Sequence, residues 1–179
     1  QAREHFQHRT EQFTAAGFDR LGAPEFIIDH AGALAGPVLD IGTGTGLTAR
    51  ALARRGYDVV TIDTSADDQE RAAHLTDDSA LASRITYQVA DAATLPHADG
   101  HFGSAVAVDV LHHVDDGAAV LREVLRVVRP GGRVVLADFT PEGFGMVARI
   151  HAAEGRVHPE GPVTIDWARG FLSAVGAGE

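Results

Sequence analysis

Five aspartates and three glycines stand along this chain at spacings that suggest strand ends. Asp40, Asp63, Asp91, Asp109 and Asp138 each follow a short apolar run. Asp40 leads directly into Gly42, Gly44 and Gly46 on alternate positions, and Asp109 into the pair His112-His113. A glycine turn between a strand and a helix gathers backbone N–H groups at one point. It also lets a ligand lie against bare main chain, because glycine carries no Cβ. Carboxylates around such a turn accept hydrogen bonds from hydroxyl and amino groups. Imidazoles are the side chains best suited to move a proton near neutral pH, which makes His112 and His113 the candidate catalytic residues.

The elements that must hold these groups can be read from periodicity. Strands are expected at Val38–Ile41, Asp58–Ile62, Ile85–Val89, Ser104–Asp109 and Arg133–Asp138, each short and rich in Val, Ile or Ala, as suits strands buried on both faces. Helices fill the gaps. Leu47–Arg55 is closed by Gly56; Ala66–Leu75 follows Ser65 as N-cap; Ala118–Val128 carries an apolar stripe and is stopped by Pro130-Gly131-Gly132. Repeated βα units of this kind imply right-handed crossovers and a doubly wound α/β sheet. Ahead of them, Phe6 and Phe13 lie at helical spacing within Arg3–Ala16, and Pro24 opens a second helix over Glu25–Ala31. Residues 141–163 are rich in Gly, His and Pro and show no clear period, and Thr164–Val175 regains helical character.

In open parallel sheets the ligand lies beyond the carboxyl ends of the strands. Asp63 then stands where a carboxylate accepts both hydroxyls of a ribose, Asp91 where one accepts an exocyclic amine of adenine, and Asp40 where one faces an ammonium group, directly or through water. Together these describe S-adenosyl-L-methionine. The spacing G-x-G-x-G, with an acidic residue two positions earlier, disfavours a dinucleotide, since Asp40 repels a pyrophosphate. An NAD-linked oxidoreductase is thereby the weaker reading.

Composition narrows the field further. Fifteen basic residues against twenty-five acidic ones give a formal net charge of −10, which argues against a nucleic-acid partner. Cysteine is absent, so disulfides, thiolate metal sites and cysteine nucleophiles are excluded. No apolar stretch suits a membrane span and the N-terminus is polar, so a cytoplasmic location is expected. His151 and His158 match no metal-ligand spacing, so no metal site is expected and they read as a solvated loop.

Val38–Gly46 resembles motif I of the class I S-adenosylmethionine-dependent methyltransferases. The run from Leu121 to Gly132 is similar to that family's helix and turn before strand five. Val110–Val114 resembles the segment after strand four in the branch that includes ubiquinone and menaquinone biosynthesis methyltransferases. The resemblance implies a Rossmann-like sheet of order 3-2-1-4-5. It implies cofactor contacts from Asp40, Gly42, Thr43, Gly44, Gly46, Asp63, Thr64, Asp91, Ala92 and Asp109. The product would be S-adenosyl-L-homocysteine and the partner a small-molecule methyl acceptor. On this reading 1–179 form one methyltransferase domain, with a helical lid at 1–35, a cofactor-binding core at 36–140 and a substrate-side segment at 141–179. The alternative is a non-catalytic cofactor-binding or protein-interaction module. Two departures stand out: Gly103 replaces the family's usual acidic residue after Phe102, and the chain stops where the sixth and seventh strands are due, so that hairpin is expected to be missing or truncated. Asp138 is assigned a structural role.

Overall fold

A computed structural model of the chain describes residues 2–158 and 161–177; the final Gly178-Glu179 lies outside them. Five strands, β1 (Val38–Ile41), β2 (Val59–Asp63), β3 (Ile85–Val89), β4 (Phe102–Val108) and β5 (Val128–Ala137), form one parallel sheet. Its order is β3-β2-β1-β4-β5, as the doubly wound reading requires. The order reverses beside β1, so the crevice opens above the glycine turn.

Strand parity assigns the two sides of the sheet. Leu39 and Ile41 enter one apolar cluster with Val120, Val124 and Val127 of α6 (Gly117–Val127). Val38 enters the other with Ala49, Leu52 and Ala53 of α3 (Leu47–Arg54) and Ile28 of α2 (Gly22–His30). Asp40 shares the parity of Val38, which decides its fate below. The expected N-cap forms, since Ser65 Oγ accepts from Asp68 N at 3.1 Å at the start of α4 (Ala66–His74); Asp116 Oδ1 likewise accepts from Ala119 N at 2.9 Å at the start of α6. A further short helix, α5 (Ser79–Ala82), gives no period in the sequence and is capped by Asp78.

Two expectations are corrected. The helix before the last strand ends at Val127, and the chain enters β5 at once; Pro130-Gly131-Gly132 lies inside that strand as a bulge, between the pairs Phe102↔Val128 and Ser104↔Arg133. The patternless stretch after Asp138 contains a 13-residue helix, α7 (Pro141–Ala153). Its start carries a cap that periodicity alone overlooks: Thr140 Oγ1 accepts from Gly143 N, and Pro141 sits in the first turn, where it needs no N–H partner. Tertiary burial of Met146, Val147 and Ile150 outweighs the weak helix propensity of Gly143 and Gly145. The departure at Gly103 has a steric reason. A Cβ there would stand 2.4 Å from the carbonyl oxygen of Ala35, while the Gly103 amide donates to Pro37 O at 2.9 Å. The chain leading into β1 runs so close that no side chain fits, which accounts for the missing acidic residue.

Outside the sheet, α1 (Ala2–Ala15) packs Phe13 against Met146, Val147 and Ile150 of α7, and α8 (Ile165–Ala174) packs Ala168 against Leu121 of α6. Among the described residues no helix is long and apolar enough to cross a membrane. Gly103→Ala should destabilise the chain by about 2 kcal/mol through overpacking against backbone, lowering the thermal midpoint by about 4–8 °C for a chain of this length. An unchanged melting curve would show that the Ala35–Gly36 segment yields freely.

Candidate active site

The cleft above β1 has a volume of about 990 Å³, within the range of small-molecule sites. Its floor is the glycine turn. Gly42 and Thr43 donate to Ile62 O at 2.9 and 3.0 Å, and Gly46 N closes back on Thr43 O at 2.7 Å. Gly42 and Gly44 adopt φ of 82° and 47°, the left-handed region that favours glycine. A Cβ on Gly42 would stand 2.6 Å from Val110, whereas one on Gly44 would meet nothing within 4 Å. Gly42 is therefore dictated by packing, and Gly44 by conformation and by the open space over it. Asp63 clamps this geometry from the tip of β2: Oδ2 accepts from Gly44 N at 3.1 Å and Oδ1 from Ser65 N at 3.0 Å. Each oxygen keeps a lone pair for a further donor.

Of the ten cofactor candidates, Gly42, Thr43, Gly44, Asp63, Thr64, Asp91, Ala92 and Asp109 line the cleft. Asp40 and Gly46 do not. Gly46 is packed against Ala72 and Arg50 behind the turn. Asp40, only 1% exposed, points with Val38 toward the α3 side of the sheet. Its Oδ2 accepts from Thr61 Oγ1 at 2.6 Å, and its other oxygen has no hydrogen-bond partner. Asp40 does not reach the cleft directly and instead ends a buried relay. Gln69 Nε2 donates to Thr43 Oγ1 at 2.9 Å, Thr43 lies 2.7 Å from Thr61, and Thr61 donates to Asp40. Since the Thr61 proton goes to the carboxylate, Thr43 must be the donor to Thr61. Burial pushes Asp40 up to about 7, the nearby charge of Asp63 adds to this, and only the Thr61 bond opposes it.

Asp109 follows β4 with φ 54°, the one non-glycine residue with positive φ among those described. Such conformations cost of order 1–3 kcal/mol and gather at functional sites. Burial pushes its carboxyl up to about 7, the Asp138 charge adds to the shift, and His112 and Arg20 oppose it. Arg20, between α1 and α2, is a residue that sequence periodicity does not mark. Its guanidinium lies over the Phe6 and Phe13 rings at 5.2 and 5.7 Å and donates to Thr45 Oγ1 at 3.2 Å. Its Nη1 is buried without a partner. Burial, with Arg9 and Arg50 nearby, holds Arg20 down at about 10. A buried guanidinium with an unused donor at the cleft wall is ready for an anion.

At the other end stands His112, in a short 3₁₀ turn, Leu111–His113. Its Nδ1 lies 2.6 Å from Asp138 Oδ1, and its amide donates to Asp138 Oδ2 at 3.2 Å. An ionised carboxylate only accepts, so a proton resides on Nδ1, and in the neutral ring the lone pair is on Nε2. That Nε2 is buried with no partner, and His112 lines the cleft. Asp138 thus has a task at the site beyond the structural role assigned from sequence. Their separation of 26 residues gave no local signal. His113 and His158 also line the cleft, and His151, expected in a solvated loop, is only 8% exposed on α7, its Nε2 2.9 Å from Arg9 Nη2.

A five-stranded parallel sheet with a glycine turn at its switch point and carboxylates at neighbouring strand tips places the chain in the doubly wound α/β class. Residues 39–136 match the family described as "Methyltransferase domain". The chain belongs to that family. It is 38% identical over 102 residues to the O-methyltransferase resE of Aspergillus sclerotiorum, covering 56% of this chain and 39% of that protein. It is 37% identical over 132 residues to the demethylmenaquinone methyltransferase of Beutenbergia cavernae, covering 73% and 52%. The fold also matches a solved Methanococcus maripaludis protein with a TM-score of 0.71 at 21% identity, over 99% of this chain and 84% of that one. The chain spans about two fifths to one half of the length of these two curated relatives.

Asp40 gives a pH signature. An unfolded aspartate ionises near pH ~3.9, and the folded one near 7. Between these values the native state holds a proton that the unfolded state has lost. The group's contribution to stability is complete below the lower value and disappears as pH rises through the upper one. Asp40→Asn still accepts from Thr61 and never ionises. Relative to the parent it should gain stability from pH 4 to pH 8, by up to about 4 kcal/mol. Urea unfolding at each pH reads this, and a difference that stays constant with pH would show that Asp40 ionises normally.

Proposed function

We propose that the chain binds S-adenosyl-L-methionine above its glycine turn and transfers the methyl group to a small-molecule acceptor entering beside His112 and His158, releasing S-adenosyl-L-homocysteine. The observation that carries this reading is the gathering of Gly44, Asp63, Asp91 and the unused Nη1 of Arg20 on one cleft. Asp63 serves the ribose hydroxyls, Asp91 and Ala92 the adenine, with Thr64 against its ring. The open face of Gly44 admits the backbone of the ligand's amino-acid end. Arg20 takes the carboxylate of that end, and Asp109 stands near its ammonium. Asp40 acts from below, holding the Thr61–Thr43 relay that shapes the turn. The residues suit the group at each of its polar ends, and the resident cofactor supplies an electrophilic methyl on a sulfonium.

The reaction is an in-line displacement, so placing donor and acceptor carries most of the catalysis. Where the acceptor must lose a proton, the Nε2 lone pair of His112 is the basic atom at hand, with His113 beside it. Asp138 is a positioning residue that holds the tautomer. Helices α1 and α7, joined through Phe13, Met146 and Val147, wall the acceptor side and act as the lid and substrate-side segment. The acceptor atom follows neither relative: one is named for O-methylation, the other for a menaquinone precursor. An acidic chain without cysteine suits a cytoplasmic setting and no nucleic-acid partner.

Calorimetric titration with S-adenosyl-L-homocysteine tests the reading, and a folded sample that does not bind would overturn it. Arg20→Gln should weaken that binding about 10- to 100-fold, the worth of a charge-assisted bond. Adenosine, which lacks the amino acid, should bind variant and parent alike; equal losses for both ligands would mean that Arg20 only supports the fold. With labelled donor and a panel of phenolic and hydroxyquinone acceptors, His112→Gln should lower turnover by about 100-fold and leave S-adenosyl-L-homocysteine affinity within a factor of three. Unchanged turnover would remove His112 from the reaction.

A further inference from the structure

His112, His113 and His158 each offer a ring nitrogen, and the three atoms lie within 4.8 Å of one another at the acceptor end of the cleft. The sequence gives no ligand spacing there. The 3₁₀ turn after β4 supplies two imidazoles, and the loop after α7 brings the third. That loop is tied down by Gly161 N, which donates to His112 O at 2.7 Å; a Cβ on Gly161 would stand 2.5 Å from the same oxygen. Ring centroids of His112 and His158 are 4.9 Å apart, and those of His113 and His158 are 5.3 Å apart.

We propose that these three histidines bind a divalent transition-metal ion of the zinc–cobalt–nickel class, with its open coordination position facing the acceptor.

Three observations support this. His112 is 3% exposed, and its Nε2 is buried and unpartnered; a buried acceptor left unused costs about 1–3 kcal/mol. Its Nδ1–H is held by Asp138 at 2.6 Å, the carboxylate–histidine arrangement that orients a metal-ligating imidazole and raises its basicity. The available donor set is imidazole, with no cysteine in the chain, and three protein ligands suit ions of that class while leaving a position free. Nitrogens bound at ~2.0–2.1 Å around a tetrahedral ion stand roughly 3.4 Å apart. Closing from 4.8 Å therefore asks about an ångström of movement. His113 is exposed and His158 half-buried, so both have room to supply it around the fixed His112. His151 stays outside the set: its Nε2 accepts from Arg9, and its ring only stacks on His158 at 4.8 Å between centroids.

The proposal rests on the methyl-transfer reading only for what the ion would do, and there it selects an oxygen acceptor. A hydroxyl or enol bound to the ion gives its proton to solvent. Its oxygen then forms the new O–C bond as the donor's S–C bond breaks, with that electron pair remaining on sulfur. Deprotonation by the ion takes the place of direct transfer to His112.

Untagged, chelator-treated chain titrated with Zn²⁺ in a calorimeter, and with Co²⁺ by visible absorption, tests the site. One ion per chain is expected, with the intense d–d bands of four- or five-coordinate cobalt. His113→Ala and His158→Ala should each lower affinity at least 100-fold, and Asp138→Asn 10- to 100-fold. His30→Ala, an exposed histidine on α2, should change nothing. Both histidines stand outside the sheet, so far-ultraviolet circular dichroism should show the two alanine variants folded. If the parent binds S-adenosyl-L-homocysteine but neither ion, or binds ions that both alanine variants hold equally well, the metal site is overturned and the methyl-transfer reading stands. Ion binding without any S-adenosyl-L-homocysteine binding would overturn the cofactor reading and retain the site.

Discussion

The cleft depends on a line of hydrogen bonds buried where an α/β core is normally apolar. Gln69, Thr43, Thr61 and Asp40 run from α4 through the glycine turn to β1, all less than 9% exposed. In a low-dielectric interior such bonds are strong, and breaking one leaves an expensive unpaired group. The turn is therefore held from beneath by Thr43 and from the rim by Asp63, which grips the Gly44 amide. Two contacts on either side of a three-glycine segment fix a backbone that glycine alone would leave loose. One Asp40 oxygen stays unpaired, and burial raises the proton affinity of that carboxyl, with the Asp63 charge adding to it.

Charge is distributed against the average. The chain is acidic overall, yet its cleft wall carries Arg9, Arg20 and Arg156. Arg9 and Arg156 are engaged by Glu154. Arg20 is held between aromatic rings and a single hydroxyl, with a buried donor to spare. The opposite requirement is met at His112, where Asp138 commits one nitrogen and so defines the chemistry of the other. A cation seeking an anion and a lone pair seeking an electrophile thus stand at the same cleft, and Asp109, in a strained conformation, lies within electrostatic reach of both.

Much of this was legible in the chain because it is written locally. Short apolar runs located all five strands, with ends shifted by at most two residues except at β5, which begins at Val128 where Arg133 was expected. The capping signal at Ser65 is local as well. Helix α7 was not legible from period, since two glycines dilute its stripe and its stability comes from Phe13 across the cleft. The bulge at Pro130–Gly132 was misread as a stop because a proline and two glycines look alike in either role until the partner strand is known.

By itself the sequence determined the order of elements, the glycine turn and the row of carboxylates at the strand tips, for each is a pattern within a few residues. Only the tertiary structure decided which carboxylates face the cleft. Parity sends Asp40 to the α3 side of the sheet, while Asp63, Asp91 and Asp109 line the cleft. It also decided that Asp138 holds His112, that Arg20 reaches Thr45, and that His158 arrives beside His112 and His113. Those meetings join residues 25 or more positions apart. They are set by crossovers and helix packing, to which no short-range period is sensitive.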